Sequence, residues 1–261
     1  MTPAEKFRQE CINEVGMQGA NPELRQLTRS WMNMANSGKY SYHFSWLGRP
    51  IIQYPQDIIA MQEVIWEVKP DLIIETGIAH GGSLVFSASM LELNAACGGP
   101  PDAEVLGIDI DIRTHNREAI LAHPMVKRIS MIQGSSIAPE VIEQVKDRAA
   151  DKKRILVCLD SNHTHNHVLA ELESYAPLTS AGSYCVVFDT IIEDMPSDSF
   201  PDRPWNKGNN PKTAVWAYLR RIKDEGRTAF DGLPLKLEID KSIENKLLIS
   251  TAPDGYLKRI G

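Results

Sequence analysis

The sequence predicts an α/β chain built on an open, mostly parallel sheet covered by helices on both faces, with one antiparallel strand near its end. Three observations predict it. Short apolar runs alternate with helical stretches between residues 71 and 189, the rhythm of parallel strands joined by crossover helices. The run 154–160 is apolar between its charged ends, as a strand buried on both faces must be. After a helical stretch at 212–225 the rhythm breaks into two strand-like segments, 235–240 and 246–251, joined by the short polar link 241–245. That spacing suits an antiparallel hairpin.

In order along the chain, residues 1–54 read as a separate extension of one or two helices followed by an aromatic stretch at 40–50. Aromatics at that density serve either as core or as the roof of a pocket. Residues 55–261 form the main domain. A helix begins at Pro55, with Ile58, Ile59, Met61, Ile65 and Val68 at helical spacing, and stops at Lys69-Pro70. Strand 71–75 leads to helix 82–96, strand 104–109 to a helix at 117–122, and the more polar strand 128–133 to helix 139–151. Strand 154–160, helix 165–175 and strand 183–189 complete the alternation. The breaker-rich stretch 195–211 holds four prolines and Lys207-Gly208-Asn209-Asn210, so it reads as a lid or an acceptor-contacting loop.

Composition narrows the function. With 43% hydrophobic and 24% charged residues the chain is an ordinary globular protein, and a net charge of −6 argues against a dedicated nucleic-acid binder. No apolar run is long enough for a transmembrane helix, and the first residues lack the apolar core of a secretory signal. Cys11, Cys97, Cys158 and Cys185 are widely spaced, which suits reduced thiols and a cytoplasmic location.

The strongest local signal is Glu75-Thr76-Gly77-Ile78-Ala79-His80-Gly81-Gly82-Ser83, between the first parallel strand and its helix. Glycines there allow a tight turn and close approach of a ligand to free helix N–H groups. Gly77-x-Ala79-x-x-Gly82 only loosely mimics a dinucleotide fingerprint. Glu75 would repel a pyrophosphate but would accept a hydrogen bond from an amine, which points to an amino-acid-bearing cofactor. Asp109 ends the second strand where such folds place a carboxylate against ribose hydroxyls, and Asp111 is its understudy. Gln133-Gly134-Ser135-Ser136 closes the third strand, a rim for an adenine ring.

A second cluster, Asp160-Ser161-Asn162-His163-Thr164-His165-Asn166-His167, follows the fourth strand. It invites an acid–base or metal reading, beside the plainer one of a capped helix with surface histidines. Asp189 holds the matching place on the fifth strand, and two such carboxylates can hold a hard divalent cation. Glu193-Asp194 is a further contributor to that cation.

Together E-T-G-x-x-x-G-G-S, G-I-D-I-D, Q-G-S-S, L-D-S-N-H-x-H-x-H-V-L and A-P-D-G-Y-L, with Gly48-Arg49-Pro50-Ile51-Ile52-Gln53-Tyr54-Pro55 upstream, resemble the cephalosporin hydroxylase family. That family lies within the class I S-adenosylmethionine-dependent methyltransferases and includes rhamnosyl and other sugar O-methyltransferases. The resemblance implies a Rossmann-like sheet of about seven strands with the last antiparallel. It implies that Glu75, Gly77, Gly81, Gly82 and Ser83 hold the methionine part of S-adenosylmethionine, Asp109 its ribose, and Ser135 and Ser136 its adenine side. Asp160 and Asp189 match positions that bind Mg²⁺ in related members. Those members carry an acidic pair at the end of the fifth strand, whereas this chain has Phe188-Asp189, so one ligand is missing and the enzyme has a metal-free alternative.

The leading reading is an O-methyltransferase acting on a hydroxyl of a small polar acceptor, a sugar or glycoside, with no nucleic-acid or membrane partner and with self-association as an option. His163, closest to Asp160, is the expected base, with His167 its alternative and Asp160 the third catalytic group. A rival is a non-haem iron oxygenase using Asp160 and two of the three histidines. It leaves the glycine loop and Asp109 unused. A third reading is a non-catalytic, cofactor-binding scaffold.

Overall fold

The computed structural model describes residues 1–261. Its main sheet has seven strands: β3 (Leu72–Thr76), β4 (Glu104–Asp109), β5 (Ile129–Gln133), β6 (Ile155–Leu159), β7 (Tyr184–Val187), β8 (Leu237–Ile239) and β9 (Tyr256–Arg259). Across the sheet the order is β5-β4-β3-β6-β7-β9-β8. β5 to β7 are parallel neighbours throughout, and β9 alone runs against the rest, between β7 and β8. The order reverses direction at β3, so the carboxyl ends of β3, β4 and β6 flank the crevice where open sheets bind ligands.

Side-chain alternation in the central strands feeds two cores. On one face Ile73, Val105, Leu156, Tyr184 and Val186 pack under α3 (Pro55–Val68) and α4 (Gly82–Ala96). On the other, Leu72, Ile74, Val157 and Cys185 pack against α6 (Pro139–Ala149), α7 (His165–Tyr175) and α8 (Pro211–Glu225). Each fully buried Ile, Leu or Val contributes roughly 1.5–3 kcal/mol relative to exposure. α5 (Thr114–Leu121) begins earlier than its apolar pattern suggests. No helix is long and apolar enough to cross a membrane.

The expected hairpin at 235–251 is half right. β8 forms, but the link 241–245 is helical, α9 (Lys241–Leu247), and 246–251 is not a strand. Leu248 leaves the helix with φ +61°. The following residues turn inward to the fully buried Asp57: Ser250 Oγ, Thr251 N and Tyr256 OH donate to its carboxylate at 2.6, 2.8 and 2.9 Å. A buried carboxylate is costly unless its lone pairs are filled, and this demand overrides the apolar pattern. The antiparallel strand forms instead at Tyr256–Arg259.

The N-terminal segment is two capped helices, α1 (Pro3–Ala20) and α2 (Pro22–Ser37), then a short 3-10 turn and the hairpin β1 (Phe44–Trp46)–β2 (Arg49–Ile51). The aromatic stretch packs largely on itself. Tyr40 meets Trp31, Phe44 and Tyr54 edge to face at 5.1, 5.0 and 5.4 Å, and Trp46 meets Phe86 at 5.0 Å. Ile51 enters the core, and α1 docks on α9 through Gln18, which donates to Asn245 O at 2.7 Å.

Candidate active site

The loop after β3 is built for close approach. Gly77 has φ +90°, and a Cβ there would lie 2.0 Å from the carbonyl oxygen of Asp160. A Cβ on Gly82 would lie 2.1 Å from Pro50 O, because the β1–β2 hairpin presses on the start of α4. Arg49 fastens that hairpin to the loop by donating to His80 O at 3.0 Å through Nε and to Asn116 Oδ1 at 3.0 Å. α4 begins at Gly82 without a side-chain cap, so its first-turn N–H groups remain available to a ligand.

Glu75 sits beneath this loop, 4% exposed, and accepts a hydrogen bond from Ser83 Oγ. Burial pushes its carboxyl up to about 7, against the opposing hydrogen bonds of Ser83 and Ser87. Asp109, at the end of β4, accepts from the N–H groups of Ile78 at 2.8 Å, Ala79 at 3.2 Å and Asp111 at 3.0 Å. It therefore shapes the glycine loop from below. Asp111 is exposed and its carboxylate faces Arg113 at 3.8 Å, away from that position.

Asp160 follows β6 on the same sheet face as Glu75, and both line a small cavity with Gln53, Ser83 and Phe188. No protein donor reaches the Asp160 carboxylate. Burial, reinforced by Asp189, Glu75, Glu171 and Asp57, holds its carboxyl well above the usual range. Asp189 stands in the left-handed region, φ +54°, just past β7. Asp160, His163 and Asp189 converge, one ligand atom from each lying within 4.8 Å of the others. Two carboxylates and an imidazole, with an excess of acid around them, form a donor set that fits a divalent cation. Phe188, 4% exposed, packs in the core, lines the same cavity and offers the cation no ligand.

The three histidines of the cluster part ways. His163 Nε2 lies 3.3 Å from Asp189 Oδ2, and its ring meets Trp205 edge to face at 4.8 Å. His165 turns to Thr213 Oγ1, 2.8 Å away. His167 Nε2 lies 3.0 Å from Ser136 Oγ, 3.2 Å from Ser161 Oγ and 3.6 Å from Glu171, in a polar group under the β5 rim. Ser135 lies on that rim, half-buried beside Ser136. Of the three histidines, His163 is the one grouped with Asp160 and Asp189. The oxygenase reading loses its ligand set, since only one histidine joins Asp160.

Glu193 and Asp194 do not join the cation site either. Glu193 accepts from Gly208 N at 2.8 Å and Asn210 Nδ2 at 2.6 Å, while Asp194 pairs with Lys212. These contacts fasten the stretch 195–211, which delivers Trp205 to His163. Sequence reasoning missed Trp205 and the supporting residues Ser161 and Glu171, because their roles exist only once distant strands and loops meet.

The carboxyl edge of the seven-stranded sheet thus brings together a glycine loop, a buried acid and an acid–histidine cluster. The profile of the Rhamnosyl O-methyltransferase/CmcI family matches residues 38–260, and the chain belongs to that family. It is 32% identical over 207 residues to a rhamnosyl O-methyltransferase of Mycobacterium tuberculosis (strain ATCC 25618 / H37Rv), covering 78% of this chain and 73% of the relative. It is 30% identical over 216 residues to that of Mycobacterium leprae (strain TN), covering 82% of each. Among solved structures, CmcI with Mg and SAM superposes with a TM-score of 0.55 at 19% identity, covering 84% of this chain and 78% of the other. That likeness bears on the fold.

Proposed function

We propose that the chain methylates a hydroxyl of a sugar or glycoside, using the acid-lined crevice to hold S-adenosylmethionine and a divalent cation. The observation that carries this reading is the convergence of Asp160, His163 and Asp189 beside the buried Glu75. Such an excess of acid without a protein cation to match suits a cofactor bearing an ammonium and a sulfonium.

In this reading Glu75 and Ser83 take the amino end of the cofactor, Gly77, Gly81 and Gly82 admit its backbone, Asp109 takes the ribose, and Ser135 and Ser136 border the adenine. S-adenosylmethionine supplies an activated methyl group, so the protein's task is alignment and proton removal. Asp160 and Asp189 would hold Mg²⁺, which when bound lowers the pKa of the acceptor hydroxyl. In this reading His163, whose Nε2 lies 3.3 Å from Asp189 Oδ2, is the group that takes the acceptor proton. Trp205 braces the ring from the loop side.

The proposal includes a cytoplasmic location, supported by four free cysteines of which Cys158 and Cys185 are buried. It also includes self-association through α1 and α2, which leave Phe7, Met17, Leu27 and Met34 exposed. Light scattering on the purified chain tests the latter. The catalytic claim is tested by incubating the protein with methyl-labelled S-adenosylmethionine and a panel of glycosides, with Mg²⁺ or with chelator. Label in a glycoside ether, lost with chelator and restored better by Mg²⁺ than by Zn²⁺, is expected. No transfer to any hydroxylated sugar under any metal condition would reject it.

A further inference from the structure

A cavity of about 230 Å³ lies at the seam between α2 and the main domain, walled also by the turn after Asp189, the start of α8, α9 and residues 250–254. Its charges contrast with the acidic crevice: Arg25, Arg29, Lys212 and Lys241 stand against Asp194, Glu244 and Asp254. The acids are already matched. Lys212 pairs with Asp194, and Lys241 pairs with Glu244 at 2.7 Å and with Asp254. The arginines are not. Arg25, half-buried, gives its Nε to Gly19 O and one terminal nitrogen to Asn245 Oδ1 at 2.9 Å, whereas Arg29 is exposed to solvent and has no protein partner. They stand four residues apart on α2 and so share one face of the helix.

Guanidinium groups with no carboxylate of their own are suited to forked hydrogen bonding of a phosphate or carboxylate. We infer that this cavity is an oxyanion-binding site in which Arg29, supported by Arg25, holds the phosphate or carboxylate of a small molecule. Lys212, 6% exposed, neutralises Asp194 on the inner wall, which leaves the arginines as the unmatched charges. Residues 19–32 of the wall precede the matched family region, so this side of the cavity belongs to the chain's own N-terminal helices.

The oxyanion has two sources: a group carried by the acceptor, or a free anion. Ile191 and Asp194 of the wall lie on the turn that begins at Asp189, which places the cavity next to the cation cluster along the chain. The acceptor source rests on the methyl-transfer reading; the binding site does not.

Calorimetry on the full chain at low ionic strength separates these, using inorganic phosphate, glucose 1-phosphate and glucuronate, with methyl glucoside as the neutral control. The oxyanions should bind and the neutral sugar should not. Arg29→Ala and Arg29→Glu should weaken oxyanion binding at least about tenfold, and Arg29→Lys should recover part of it. Affinity for S-adenosylhomocysteine should be unchanged in each variant, which shows that the fold is intact. Tighter binding of the sugar oxyanions than of inorganic phosphate assigns the group to the acceptor, and equal binding assigns it to a free anion. Failure of all three oxyanions to bind, or wild-type binding by Arg29→Glu, overturns the site whatever the fate of the methyl-transfer assay.

Discussion

Glu75 is the residue on which pH should act most visibly. Its carboxyl ordinarily titrates near 4.5 and is raised to about 7 by burial. The folded state therefore favours the protonated acid. The stability this contributes is complete below pH 4.5 and is lost as pH rises through 7. A cofactor ammonium favours the carboxylate instead. Binding of S-adenosylhomocysteine should strengthen between pH 6 and 8 (a window of about one unit either side of that pKa) and should release a proton below 7. Calorimetry in buffers of different ionisation enthalpy measures that proton, and Glu75→Gln should abolish its release. His163 should affect chemistry and not binding. His163→Ala should lower turnover ~10²–10⁴-fold with cofactor affinity unchanged. Unaltered turnover would return the proton to Asp160 or to solvent. The motif around Asp160 was legible in the sequence; which of its three histidines matters was not. That choice depends on Asp189, Thr213 and Ser136, which lie on three other segments.

At the scale of elements, apolar periodicity was enough wherever burial on both faces dictated the pattern, as in Leu72–Thr76 and Ile155–Leu159, whose residues are all buried. It failed at residues 246–251, where an apolar run serves a buried carboxylate in place of a strand ladder. It also could not say whether 195–211 swings free. Glu193 holds Gly208 and Asn210, and Asn209 Oδ1 accepts from His165 N at 3.0 Å, so the stretch is fastened at its far end and contributes Trp205 near its middle. Glu193→Ala should unfasten it. Hydrogen exchange over residues 200–210 should then rise well above wild type, and turnover should fall more than cofactor affinity, because Trp205 no longer braces His163. Identical exchange in the two proteins would show that the capping box of α8, formed by Asn210 and Thr213, alone holds the segment.

For the molecule as a whole, the β/α order, the reversal at β3 and the single antiparallel strand place every acid of the site on one edge. Glu75, Asp109, Asp160 and Asp189 come from four different strands, and each stands at or just beyond a carboxyl end. The sequence could be read this far because strand ends are marked by charge after an apolar run. The cavity under α2 was not legible, since it arises from the docking of helices whose partners lie more than 200 residues away, as Gln18 and Asn245 do. The central claim is that this edge holds an amino-acid-bearing methyl donor and not a dinucleotide. Titrating the purified chain with S-adenosylhomocysteine and, separately, with NAD tests it most directly. Saturable one-site binding of S-adenosylhomocysteine, weakened in Glu75→Gln and with no comparable response to NAD, is the predicted result. Tight NAD binding with no response to S-adenosylhomocysteine would contradict it.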